Sequence, residues 1–131
     1  MKVFLDTNVL VSAFAARGIC EDVLRIVLAE HQLVVADSVL TELERVLTQK
    51  LRMPRAKATT VVAFVRSQAE VRHPKERAAY PKTDRDDQWI VAAAIDGGAD
   101  FLVTGDHDLL DVAAEVSVTI VSPREFWERL R

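Results

Sequence analysis

Lys2-Val3-Phe4-Leu5-Asp6-Thr7-Asn8-Val9-Leu10 is the stretch on which the fold turns. A short apolar run, read as strand 2–6, stops at an acid and continues into a helix over 8–16. A strand apolar on both faces belongs at the centre of a parallel sheet, where helices cover both sides. The carboxyl end of such a strand is where open α/β sheets place their chemistry. Asp6 therefore stands where an acid is both shielded and reachable.

Outward from there, strands and helices alternate. The pattern predicts helix 20–31, strand 33–36 and an Asp37-Ser38 N-cap pair, then helix 39–51 with Leu40, Leu43, Leu47 and Leu51 on its buried stripe. Glu42 and Glu44 fall on opposite borders of that stripe, and periodicity does not choose between them. Pro54 opens a helix over 54–69, Val71 begins a short strand, and 73–85 is a polar loop. Helix 86–97, strand 101–104, a short helix 107–114, strand 116–121 and a last helix from Pro123 complete the chain. Such alternation argues for an α/β domain around a mostly parallel sheet.

At 131 residues the chain is expected to be one domain with a full hydrophobic core. Cys20 is the one cysteine, which excludes an intrachain disulfide framework and fits a reducing cytosol. Asp6 and Asn8 interrupt the apolar N-terminal region, so no signal peptide is expected, and no apolar run reaches the length of a membrane span. The formal net charge of −3 hides an uneven distribution. Residues 44–85 carry 11 basic and 4 acidic side chains, whereas 86–131 carry 3 and 10. A basic middle beside acidic flanks can form a cationic surface next to an acidic site, although solvated helix faces give the same pattern.

Four acids share a structural logic. Asp6 ends the first strand, and Asp106 follows strand 101–104 just after Gly105. Glu42 and Asp87 lie in the first turns of helices. In a parallel sheet, strand ends and the helix starts after them share one edge, so these carboxylates converge. Each also has a structural reading: Asp6 and Asp106 as helix caps, Asp84 and Asp87 as a cap and an N-terminal acid, Glu42 as a solvated face residue. Converging carboxylates repel, and such a cluster persists where a cation neutralises it. Hard oxygen donors without histidine or cysteine favour Mg²⁺ or Mn²⁺ over zinc, and such ions serve phosphoryl chemistry. His107, between two acids, is expected to be a solvated neighbour.

Phe4-Leu5-Asp6-Thr7-Asn8-Val9-Leu10-Val11-Ser12-Ala13 closely resembles the opening motif of PIN-domain proteins. Asp84 to Ala94 is similar to their third acidic motif, and Ala99-Asp100-Phe101-Leu102-Val103-Thr104-Gly105-Asp106-His107-Asp108-Leu109-Leu110 to their fourth. The ending Val121-Ser122-Pro123-Arg124-Glu125-Phe126 resembles one bacterial and archaeal subgroup, the VapC-like toxins of toxin–antitoxin systems. The resemblance implies a three-layer α/β/α sandwich with about five strands, one PIN-like domain over 1–131, and metal-dependent endoribonuclease activity. It carries the catalytic and metal-binding roles to Asp6, Glu42, Asp87 and Asp106, with Mg²⁺ or Mn²⁺ as cofactor. Asn8, Thr104 and Asp108 match polar supporting positions, and Asp84 and Asp86 are outer candidates. RNA is the implied substrate and an antitoxin protein the implied partner. A homodimer, common in such folds, and a cytoplasmic location complete the expectation. The basic stretch Arg45, Lys50, Arg52, Arg55 and Lys57 is suited to an RNA backbone, and no aromatic interleaves it.

Two other readings compete. A haloacid dehalogenase-type phosphatase needs a second aspartate two residues after the first, where Asn8 stands, and a phosphoacceptor receiver needs an acid pair before its first helix and a late lysine, yet no lysine follows Lys82. Those two are forms of one rival, a different Mg²⁺-dependent α/β domain; the other rival is a PIN-like module that binds RNA or protein without cleaving. It would be favoured by loss of an acid, and all four are present.

Overall fold

The computed structural model describes residues 1–76 and 85–130. Five strands form one sheet in the order β3-β2-β1-β4-β5, with every pair parallel. They are β1 (Lys2–Leu5), β2 (Gln32–Ala36), β3 (Ala69–Arg72), β4 (Phe101–Val103) and β5 (Thr119–Val121). Helices α1 (Thr7–Ala15), α2 (Ile19–Glu30), α3 (Asp37–Arg45), α4 (Arg55–Gln68), α5 (Arg85–Asp96), α6 (His107–Asp111) and α7 (Pro123–Arg129) connect and flank them. The fold is the expected α/β/α sandwich. Val3, Phe4 and Leu5 of β1 and Leu33 to Ala36 of β2 are all buried, so both sheet faces are covered at the centre. No helix among the described residues is long and apolar enough to cross a membrane.

Several boundaries differ from the sequence expectation, each for a local reason. The chain passes from Ala36 into α3 without a loop, so Asp37 and Ser38 are helical and the cap position falls on Ala36, which supplies no side-chain bond. The α-helix expected over 39–51 ends at Arg45 and continues as a π turn, Val46–Lys50. There the Leu51 N–H reaches back to the Val46 carbonyl at 3.1 Å, and the Thr48 hydroxyl donates to the Glu44 carbonyl at 2.8 Å. Arg52, in the left-handed region at φ 55°, turns the chain towards Pro54, whose ring disfavours helical backbone at Met53. Strand β5 has three residues rather than the expected 116–121, matching the three of β4 with which it pairs. Val71 does lie in a strand, β3, which extends the sheet beyond β2. Most of the loop expected over 73–85, residues 77–84, lies outside the described residues.

The end of α5 packs closely on the sheet at Gly97. A Cβ there would stand 2.7 Å from Val34 Cγ1, a fully buried and β-branched side chain of β2, and 3.2 Å from Arg72 Cγ. Gly97→Ala is therefore expected to destabilise the protein by about 1–3 kcal/mol through overpacking, read as a lowered melting temperature. Gly98, whose substituent would meet open space but whose φ is +66°, tests backbone strain separately.

Candidate active site

The site is assembled where β1 and β4 end side by side. The Asp6 amide donates to the Val103 carbonyl at 3.1 Å, so Asp6 is held at the strand exit while its own carbonyl accepts from Val9 and Leu10 at the start of α1. It is 7% exposed, and both of its carboxylate oxygens accept hydrogen bonds. Oδ1 accepts from the Thr7 N–H at 2.8 Å, the capping bond of α1. Oδ2 accepts from the Thr104 hydroxyl at 2.8 Å and from Asn8 Nδ2 at 3.1 Å.

Thr104 is fully buried and uses all of its bonding capacity. Besides donating to Asp6, its oxygen accepts from Asn8 Nδ2 at 3.3 Å and from the Asp106 N–H at 3.0 Å. Asn8 Oδ1 accepts from the Gly105 N–H at 2.8 Å, which fixes the orientation of that amide group. A Cβ at position 105 would lie 3.2 Å from the same oxygen, so glycine permits the close turn. Asp106 then caps α6, accepting from the Asp108 N–H at 2.9 Å. The capping readings of Asp6 and Asp106 are thus correct, and the same caps aim both acids at one cavity.

That cavity, of about 800 Å³, is lined by Asp6, Asp37, Glu42, Asp86, Asp87 and Asp106. All four acids singled out in the sequence reach it. Glu42 faces it, with an ion pair to Arg45 at 3.5 Å, whereas Glu44 faces a separate groove against Thr59, Val62 and Arg66 of α4. Asp87 is 8% exposed on the first turn of α5. Asp37, not considered as a site residue from sequence, lines the wall and pairs with His73 Nδ1 at 3.1 Å. Asp84 lies outside the described residues. Of the five basic residues, Lys50 lines the cavity. His107 is exposed and is not among the lining residues.

Carboxylate oxygens of Asp87, Asp106 and Asp108 lie within 4.8 Å of one another. Asp108 thereby joins the acids directly rather than supporting them from behind. Its spacing two residues after a helix-capping acid was the available signal. Three hard oxygen donors at this separation suit a divalent cation such as Mg²⁺ or Mn²⁺. The Asp6 carboxyl is pushed above its ordinary value of 3.8, first by burial and further by the charges of Asp106 and Glu42, against the lowering effect of Thr104 and Thr7. The charges of Asp106 and Glu42 thus add to the effect of burial on Asp6, and a bound cation would oppose both.

A parallel α/β sandwich with a carboxylate-lined cavity at the strand exits is the class that fold and site define. The PIN-domain family model matches residues 2–108, and the chain belongs to the PIN-domain family. The fold is similar to VapBC2 from Rickettsia felis, solved bound to a DNA fragment from its promoter, at TM-score 0.65 and 15% identity, covering 93% of this chain and 98% of that one. It is also similar to VapBC-1 from nontypeable Haemophilus influenzae, at TM-score 0.68 and 16% identity, covering 95% and 99%. At these identities the likeness is one of fold. No curated protein matches the sequence.

The raised pKa of Asp6 has a defined consequence in the metal-free protein. The folded state keeps the Asp6 proton to higher pH than the unfolded chain does. The stability linked to that proton is present below pH 3.8 and is lost as pH rises through the folded-state value. Asp6→Asn removes this loss, so the melting temperature of the variant relative to wild type is expected to rise with pH across that window. Saturating Mn²⁺ should narrow the gap by stabilising the wild type; a gap independent of pH would contradict the assignment.

Proposed function

We propose that the chain is a metal-dependent endoribonuclease of the VapC type, the toxin of a toxin–antitoxin pair. The observation that carries this reading is the grouping of Asp87, Asp106 and Asp108 beside buried Asp6 in a PIN-family cavity. Asp87, Asp106 and Asp108 would hold Mg²⁺ or Mn²⁺, with Asp6 and Glu42 completing the negative field. When bound, such an ion activates water and offsets charge at a phosphodiester. The chain's own residues do the rest. Thr104 and Asn8 fix Asp6 in place, Asp106 is set by the Gly105 turn, and Glu42 stands at the exposed side on α3. The reaction is hydrolysis: a water oxygen attacks phosphorus in line, and one ester P–O bond breaks.

The whole chain, 1–131, is taken as one PIN-like domain. In support, β5 lies beyond the matched span yet pairs with β4, and Phe126 of α7 is in the same core. The VapBC neighbours support an antitoxin protein as partner, and a cytoplasmic homodimer is the assembly we infer.

Purified protein incubated with a mixed RNA pool should cleave it in Mn²⁺ and not in EDTA. Asp106→Asn should lower the rate by about a hundredfold or more, and Asn8→Ala by about 10- to 100-fold, since partners that orient metal ligands have effects of that size. Wild-type protein that binds Mn²⁺ and RNA without cleaving would replace this reading with that of a binding module.

A further inference from the structure

The cavity wall is not uniformly acidic. Trp89, two residues after Asp87 on α5, lines it and is half-buried. The other tryptophan, Trp127, packs against the apolar core; Trp89 is not among the described side chains that do so. Val11, Val46 and Ile90 are further apolar residues lining the cavity. An indole that lines a polar, water-accessible cavity offers apolar ring surface to whatever enters. In a site that handles nucleic acid, the flat apolar partner is a base, and a base can stack on a side chain only when it is unpaired.

Lys50 is the one cation among the described residues lining the same cavity, and it forms no ion pair among them. Its position depends on the π turn. At 3.6 residues per turn, an α-helix would carry Lys50 about 80° past the face of Glu42, eight residues earlier. A π turn advances less per residue, so Val46–Lys50 brings the lysine back towards the face that Glu42 and Val46 share. Arg52, Arg55 and Lys57, beyond the turn, are exposed and do not line the cavity.

Resting on the ribonuclease reading, we propose that the cavity holds one unpaired nucleotide of single-stranded RNA, its base stacked on the Trp89 indole and a phosphate held by Lys50. The subsite selects single strands over duplex and is formed by groups distinct from the carboxylates that would hold the metal.

The test uses the full chain with Ca²⁺ in place of Mn²⁺, a labelled single-stranded RNA of mixed sequence, and the same strand in a duplex. The variants are Trp89→Ala, Trp89→Phe, Lys50→Gln and the double exchange Gln49→Lys with Lys50→Gln, which keeps net charge on the same turn but moves it off the cavity. Single-stranded RNA should quench the indole fluorescence and duplex should not. Trp89→Phe should lose the quench and keep affinity, whereas Trp89→Ala should weaken binding about tenfold or more. Lys50→Gln and the exchange should each lower the slope of log affinity against log salt by about 0.7, with melting temperatures unchanged. Equal affinity for wild type and Trp89→Ala, a wild-type slope in the exchange variant, or equal quenching by duplex each overturns the subsite, while wild-type cleavage in Mn²⁺ leaves the ribonuclease reading standing. Wild type that neither binds nor cleaves RNA overturns both.

Discussion

Two strands are tied together at their ends by one carboxylate. Asp6 Oδ2 accepts from Thr104 across the β1–β4 pair, and Oδ1 caps α1. The bond across the sheet exists because the register sets Leu5 beside Val103, so the residues that follow them, Asp6 and Thr104, leave the sheet together. From this point the Asn8 amide holds the Gly105 turn, the Thr104 hydroxyl holds the Asp106 amide, and Asp106 starts α6. The direction of two helices and the placement of two acids thus follow from one buried charge. Burial and the neighbouring charges of Asp106 and Glu42 together disfavour that charge more than its hydrogen bonds favour it. A neutral cap such as serine or asparagine would start α1 with less desolvation. The position of the aspartate is better explained by what it contributes to the cavity than by stability.

The remaining acids differ in how firmly the fold holds them. Asp87 is buried on the first turn of α5, Asp106 is partly buried at a cap, and Glu42 and Asp108 are exposed. The cavity thus combines acids held at depth with acids free to move at its exposed side. Glu42, paired with Arg45 at a half-exposed position, can exchange that partner at small energetic cost.

Much of this was legible in the sequence. Runs such as Val3–Leu5 and Leu33–Ala36 read as central strands because a strand buried on both faces needs uninterrupted apolar residues. Asp6 and Asp106 were legible because each ends an apolar run. Glu42 and Glu44 were not separable, since periodicity places both at the stripe's border; α4, packing on the Glu44 side, decides between them. The π turn was hidden because Leu43, Leu47 and Leu51 continue a helical spacing. Within it the Leu51 N–H bonds the Val46 carbonyl and the Thr48 hydroxyl satisfies the Glu44 carbonyl, bonds that apolar spacing does not encode. Trp89 was hidden for a related reason. Beside Ile90, Ala93 and Ala94 it reads as one more core residue, and only the cavity next to α5 distinguishes it.

The bonding of Asp6 also bears on which phosphoryl chemistry the site can perform. An aspartate that attacks phosphorus must turn one oxygen, with a lone pair unengaged, towards its target. Here Oδ1 is fixed by the Thr7 N–H, and Oδ2 takes two donors, Thr104 and Asn8. Attack through Oδ2 would require breaking a buried bond between strands, and Oδ1, which holds the α1 cap, is the oxygen that keeps a lone pair to spare. Position 8 reinforces the point. A phosphatase of the haloacid dehalogenase type would carry a general acid there, whereas Asn8 spends its amide bracing Asp6, Thr104 and Gly105 and has no proton to give. An aspartate so restrained is suited to supplying fixed negative charge. That role fits attack by water on an external phosphodiester, and the absence of a general acid at position 8 argues against a phosphatase of the haloacid dehalogenase type.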